Sequence, residues 1–337
     1  MGTVKHMDLD ALTAARRGEW ERLDELSRRR RLTGAEVDEL VERYRSASAD
    51  LADIKTSAGR TPTGDHVSTL LGRARLRLTG AGENPLRGIP RFFALQLPAA
   101  LYGLRWTTLA VALAFIAVAA LVAVWTAGDP VVLATLGAKA ELEYYAEHAF
   151  TEYYSENPAA EFAGQVWTNN AWIAAQCIAF GITGIWPLMV LVQNAVGIGQ
   201  AAAIMFAFDR GDVFFGSILP HGLLEMTSIF VAGAAGLHVF WAWVAPGRRS
   251  RGEALAAAGR ALASVVIGLI LALALSGFIE GFITRQPWPV WIKVGIGALA
   301  LGIFLFYMLF VGRRAVRQGE TGDLTEYERG TTRLVSG

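Results

Sequence analysis

The chain has 337 residues, 53% of them hydrophobic and only 18% charged, with mean hydropathy +0.36. Soluble domains carry roughly a quarter charged residues, so the composition argues for a membrane protein. The net charge of +1 decides little, because arginine gathers in the first hundred residues and acid in 141–161, while the single cysteine, Cys177, excludes an intramolecular disulfide framework.

In chain order, the first polar stretch carries no signal-peptide pattern, and Met7 offers a second start. Residues 1–84 are expected to form a small helical cytoplasmic domain. One helix carries Leu9, Leu12, Trp20, Leu23 and Leu26. The next opens at "TGAE", where Thr33 and Glu36 have the spacing of a capping box, and runs to about Ser57. It bears Val37, Leu40, Val41, Tyr44, Leu51 and Ile54 near helical spacing. A third runs from about Gly64 to Leu78. The run of four arginines at 28–31 is surrounded by carboxylates and lacks stacking aromatics. It therefore reads as a solvated face or an anionic-lipid contact, and no nucleic-acid partner is expected.

Residues 85–103 are broken by Pro90 and Pro98 and suit an interfacial helix, with Phe92, Phe93, Leu95 and Leu97 facing lipid. Spanning helices need roughly 20 apolar residues. The candidates are 104–126, 168–184, 186–207, 217–245, 261–284 and 290–312, an all-α six-helix transmembrane bundle over 104–312. Gly181, Gly184 and Pro187 mark a tight hairpin between the second and third. The basic loop with Arg248, Arg249, Arg251 and Arg260, the tail 313–337 with Arg313, Arg314 and Arg317, and Arg87, Arg91 and Arg105 all fall on one side if there are six spans. The excess of basic residues on the inner side of membranes then places both termini in the cytoplasm. The outer loop, 127–166, with its paired tyrosines, reads as an amphipathic helix at the outer leaflet, and a sugar or peptide site is the sharper alternative.

The polar residues inside the spans carry the functional question. Asn169 and Asn170, His221 and Glu225, and Glu280 fall at one depth on three helices. Such residues usually face the bundle interior and mark functional sites. His221 and Glu225, four apart, share a helix face. Together they offer two ligands where zinc wants three or four. His238 is too far along its helix to help, and Glu280 joins in no recognised ligand spacing, so no metal is assigned. No cofactor or catalytic motif is present, and an enzyme is not expected. Asn194, Gly197 and Gly199 suit close helix packing, within the chain or in a homodimer.

Four stretches resemble the stage II sporulation protein M family: "WTNNAWIAAQCIAFGITGI" at 167–185, "VQNAVGIGQ" at 192–200, "LPHGLLEMTSI" at 219–229 and "SGFIEGFITRQPWP" at 276–289. They stand in the family's order and cover roughly residues 90–312. The N-terminal domain resembles the extension of long, actinobacterial-type members. The resemblance implies a bacterial plasma-membrane scaffold. Name-giving members recruit peptidoglycan-degrading enzymes to a septal membrane and are not hydrolases themselves. Longer members are placed beside envelope-associated ATPase and von Willebrand-type proteins. Two functions follow as expectations. The first is a scaffold or assembly factor in envelope remodelling, with membrane lipid and peptidoglycan-processing proteins as partners. The second is a permease-like subunit that moves a small solute or lipid through the polar cluster. With no P-loop in the chain, any ATP dependence needs a separate ATPase.

Overall fold

A computed structural model describes residues 9–29, 32–58, 61–78, 88–152 and 158–322. The chain divides into two compact units, Met1–Ile89 and Pro90–Gly337, and every regular element among the described residues is helical. Met7, Arg30, Arg31, Arg87, Tyr153, Tyr154 and the tail beyond residue 322 lie outside them.

The first unit packs three helices, α1 (Leu9–Arg28), α2 (Gly34–Ala58) and α3 (Pro62–Leu78), each against the other two. The expected capping box is present. The Thr33 amide donates to Glu36 Oε2 at 2.8 Å, and the Glu36 amide donates to Thr33 Oγ1 at 3.4 Å. These bonds satisfy amides that the helix start leaves over. Trp20, Leu23, Leu26, Leu40, Ile54, Val67 and Leu70 form the core, whereas Val37 faces outward. Buried Asp50 accepts a hydrogen bond from Trp20 Nε1 at 3.0 Å and pairs with Arg16 at 3.3 Å, so both oxygens of this buried carboxylate are engaged. Arg28 pairs with Asp24, and Arg29 with Glu25 and Glu36. The described half of the arginine run is thus spent within the unit.

In the second unit the end of α4 (Gly88–Arg91) leads into a π segment at Phe92–Gln96 and α5 (Leu97–Gly103). The expected interfacial helix is instead partly wedged between other helices. Leu97, Ala99, Ala100 and Leu101 are buried, with Leu97 beneath Gly268 and the Pro98 carbonyl against Gly312, where any larger residue would overlap it. Phe93 is the aromatic of that segment that stays exposed. The element is amphipathic, and its apolar side meets protein as well as the surroundings.

Among the described residues five helical stretches, rather than six, are long and apolar enough to cross a membrane. They are α6 (Arg105–Gly128), α11 (Ile185–Ala207), α12 (Gly211–Val244), α13 (Arg251–Phe278) continued by a π segment to Thr284, and α14 (Val290–Phe306) continued by a π segment at Tyr307–Val311 and α15 (Gly312–Arg317). The expected span at 168–184 is α10 (Ala159–Ala179), which starts nine residues earlier. Glu161, Gln165, Asn169, Asn170 and Gln176 dilute its apolar character. It nevertheless packs against α11, α12 and α13. The hairpin after it forms as a 3₁₀ turn at Gly181–Thr183, followed by Gly184 at φ +68°, a left-handed conformation that favours glycine.

The loop 127–166 is largely helical, with α7 (Pro130–Ala134), α8 (Lys139–Tyr144), a π segment at Tyr145–Ala149 and α9 (Phe150–Glu152). Leu142, Ala146 and Phe150 recur at helical spacing and are buried with Ala123, Met205 and Phe214. The amphipathic segment therefore covers the ends of α6, α11 and α12.

Candidate functional site: a buried imidazole and two carboxylates

The site is built on α12 and the end of α13. Within α12, Pro220 interrupts the backbone ladder, because proline has no N–H to give the Gly216 carbonyl. Its own carbonyl lies against Gly297 of α14, so closely that any side chain at 297 would overlap it. One residue on, His221 turns its ring toward α13, and Glu225 follows on the same face one turn later. Both are buried, at 6% and 9% exposure.

Opposite them, α13 passes into the π segment Ile279–Thr284. A π segment widens the helix by carrying an extra residue in the turn, and such segments recur at functional sites. Here it presents Glu280 and Thr284 to the same imidazole. His221 Nε2 lies 3.7 Å from Glu280 Oε1, and His221 Nδ1 lies 3.4 Å from Thr284 Oγ1. Four residues before Glu280, Ser276 Oγ lies 3.0 Å from the His221 carbonyl and 3.2 Å from Glu225 Oε2. One hydroxyl proton thus faces two acceptors. A ligand atom from each of His221, Glu225 and Glu280 lies within 4.8 Å of the others. Lys293 Nζ donates to the Thr284 carbonyl at 2.9 Å, pinning the end of the π segment.

A third helix backs the cluster. Gly277 and Gly281, four apart, let α10 approach until a Cβ at 281 would stand 2.7 Å from the Ala159 carbonyl oxygen and from Ala163 Cβ. This is the small-residue spacing that brings membrane helices together. Farther along, Gly236 of α12 takes the Cys177 carbonyl of α10, again with no room for a side chain.

The structure therefore unites His221, Glu225 and Glu280. Asn170 is buried on α10, but its amide donates to Val166 of its own helix at 3.1 Å, and Asn169 faces outward. Asn194 likewise bonds within its helix, to the Val190 carbonyl at 2.8 Å. Gly199 packs against Ala119 and Val122 of α6, whereas Gly197 faces open space. Sequence reasoning missed Ser276 and Thr284. They were legible as the polar residues four before and four after Glu280, placed to share its face.

Residues 111–285, just over half the chain, match the family model for stage II sporulation protein M. Residues 10–80 match a model described as a domain of unknown function (DUF8413). No curated protein and no solved structure matches. The first match takes in α10, α11, α12 and α13 through Arg285, and so every residue of the cluster. The chain belongs to the stage II sporulation protein M family.

Proposed function

We propose that this protein is a six-span scaffold of the bacterial plasma membrane that assembles envelope or peptidoglycan-processing proteins and has no catalytic activity of its own. The observation that carries the reading is the closeness of packing around its polar residues. At Gly281 and Gly297 neighbouring backbones occupy the space a side chain would need. A cavity in the bundle, of about 80 Å³, lies around His238, Ala235 and Leu262. That is far below the roughly 300 Å³ at which ligand pockets begin. His238 is seventeen residues beyond His221, about 25 Å along α12 at 1.5 Å per residue. A conduit for a solute would place space where the polar groups are.

In this reading α10 is the sixth span. Its 21 residues extend about 31 Å, close to the roughly 30 Å hydrocarbon core, and Asn170 is buried while Glu161, Gln165 and Asn169 stay exposed. Six crossings return both termini to the cytoplasm. There the N-terminal three-helix unit presents a surface for partners, and the segment 130–152 presents another outside.

The test is affinity purification from native membranes in a mild detergent, comparing the full chain with one lacking residues 1–89, and partners identified by mass spectrometry. Envelope or peptidoglycan-processing proteins recovered with the full chain support the scaffold. Stoichiometric recovery of a nucleotide-binding subunit, together with solute flux in liposomes, replaces it with a permease.

A further inference from the structure

We propose that His221, Glu225 and Glu280 bind one divalent transition-metal ion, of which zinc is the best-fitting class, and that this ion fastens α12 to the π segment at the end of α13. The inference is independent of the scaffold reading, since a permease could hold the same ion.

Three observations carry it. The first is the lone-pair geometry. Thr284 Oγ1 lies 3.3 Å from the Ile279 carbonyl, which can only accept. With its proton given there, the hydroxyl accepts from His221, which assigns the ring hydrogen to Nδ1. The Nε2 lone pair then faces Glu280 Oε1 across 3.7 Å, an arrangement that a cation between the two atoms would bridge. Outer hydrogen bonds of this kind are what orient a metal-binding histidine. Ser276, against Glu225 Oε2, plays the corresponding part for one carboxylate.

The second observation is charge. Among the described residues neither Glu225 nor Glu280 has an arginine or lysine ion pair, and Glu280 Oε2 is buried without a hydrogen-bond partner. Glu280 is only 3% exposed, so water does not substitute. Two close carboxylates in so dry a place must be neutralised, by protons or by a cation, and a divalent ion does so once for both.

The third is fit. Zinc bonds of about 2.0–2.2 Å in a tetrahedron separate neighbouring ligand atoms by about 3.4 Å. The Nε2 to Oε1 distance exceeds this by a few tenths of an ångström, and rotations of the carboxylates close the wider separations in the triad. One imidazole and few oxygens disfavour calcium and magnesium, which want six or more oxygens. Nitrogen and carboxylate together suit a first-row transition metal. Three protein ligands leave a fourth position for water.

The experiment uses the full chain, purified in detergent through a tag without histidine. Its metal content is measured by mass spectrometry, and the stripped protein is then titrated with Co²⁺ while its visible absorption is followed. About one equivalent of metal and the d–d bands of four-coordinate cobalt are expected. H221A and E280Q should lose the bands and at least about ten-fold in affinity. T284V keeps all three ligands and should weaken binding by about 10–100-fold, the usual effect of an outer partner. It serves if the ligand variants fail to fold. A well-folded wild type that takes up no cobalt overturns the proposal and leaves the cluster held by shared protons. Unchanged binding in H221A or E280Q overturns it equally.

Discussion

In the N-terminal unit the large side chains Trp20, Leu23, Leu26 and Ile54 fill the interior, and a belt of arginine–carboxylate pairs occupies the surface. In the bundle apolar side chains occupy both the interior and the surface. Leu121, Val124, Trp291 and Phe310 point outward, each about two-thirds exposed or more, while serine, glutamate, histidine and glycine lie inside. The difference follows from what each interior has to gain. Water drives apolar side chains together in the first unit, whereas lipid gives apolar helices no such reason to associate. The bundle instead gains cohesion from backbones brought into contact at glycine and from polar groups that have no partner outside.

If that contrast is right, an added side chain should damage the bundle most. Gly236→Leu sets a branched side chain against the Cys177 carbonyl, and a backbone atom on another helix cannot swing aside. A destabilisation of about 3 kcal/mol or more is expected, the upper end for overpacking, read as loss of monodisperse protein in size-exclusion chromatography. In the first unit the damaging change is removal. Leu23, with no exposed surface, should cost about 2–5 kcal/mol as Leu23→Ala, seen as a lowered melting transition for a fragment of residues 1–89.

A smaller effect concerns the arginine belt. Arg22 and Arg43 hold the Glu39 carboxyl down to about 2, below its ordinary value of 4.5. The folded form therefore keeps this group ionised where the unfolded chain has begun to bind a proton. Its contribution is complete above pH 4.5 and fades as pH falls toward 2. The melting temperature of Glu39→Gln should accordingly approach that of wild type across this window and differ most above it. A constant difference over the window would remove Glu39 as the cause. Least affected should be Gly197→Ala in the bundle, where a Cβ meets nothing within 4 Å. It should change stability by less than about 1 kcal/mol, with helix propensity on its side. Substantial loss there would mean that a second copy or another partner covers this face.

How much of this was legible depended on which physical signal each feature uses. The cap at Thr33 was legible because a capping box is local in sequence. The same device at Ser250 and Glu253 starts α13 ten residues before the apolar run at 261, a run that marks lipid contact and not helix start. α12 likewise begins at Gly211, ahead of the expected 217. His221, Glu225 and Glu280 stood out because charge is costly in a membrane segment. Ser276 and Thr284 did not, since hydroxyls are ordinary there, usually bonding back to their own helix as Ser228 does. The glycine contacts were half legible. Gly199, expected to pack, does so, Gly197 does not, and Gly277 and Gly281 pack although only their spacing hints at it. Spacing tells which glycines share a face, but not whether another helix arrives there.

The π segment Ile279–Thr284 has a consequence for the protein's history. Such a segment carries one residue more than the α-helical path it replaces, so a deletion of a single codon within it could restore an unbroken helix without ending the span. The helix on either side would keep its direction, and the residues inside the segment would be the ones to shift, by up to about 100°, one residue's share of an α-helical turn. Glu280 and Thr284 would no longer meet the same imidazole. The unit of inheritance for this site is therefore the length of that segment as well as the identity of its residues. A relative could retain each polar residue of the cluster and still have lost the arrangement through one small gap.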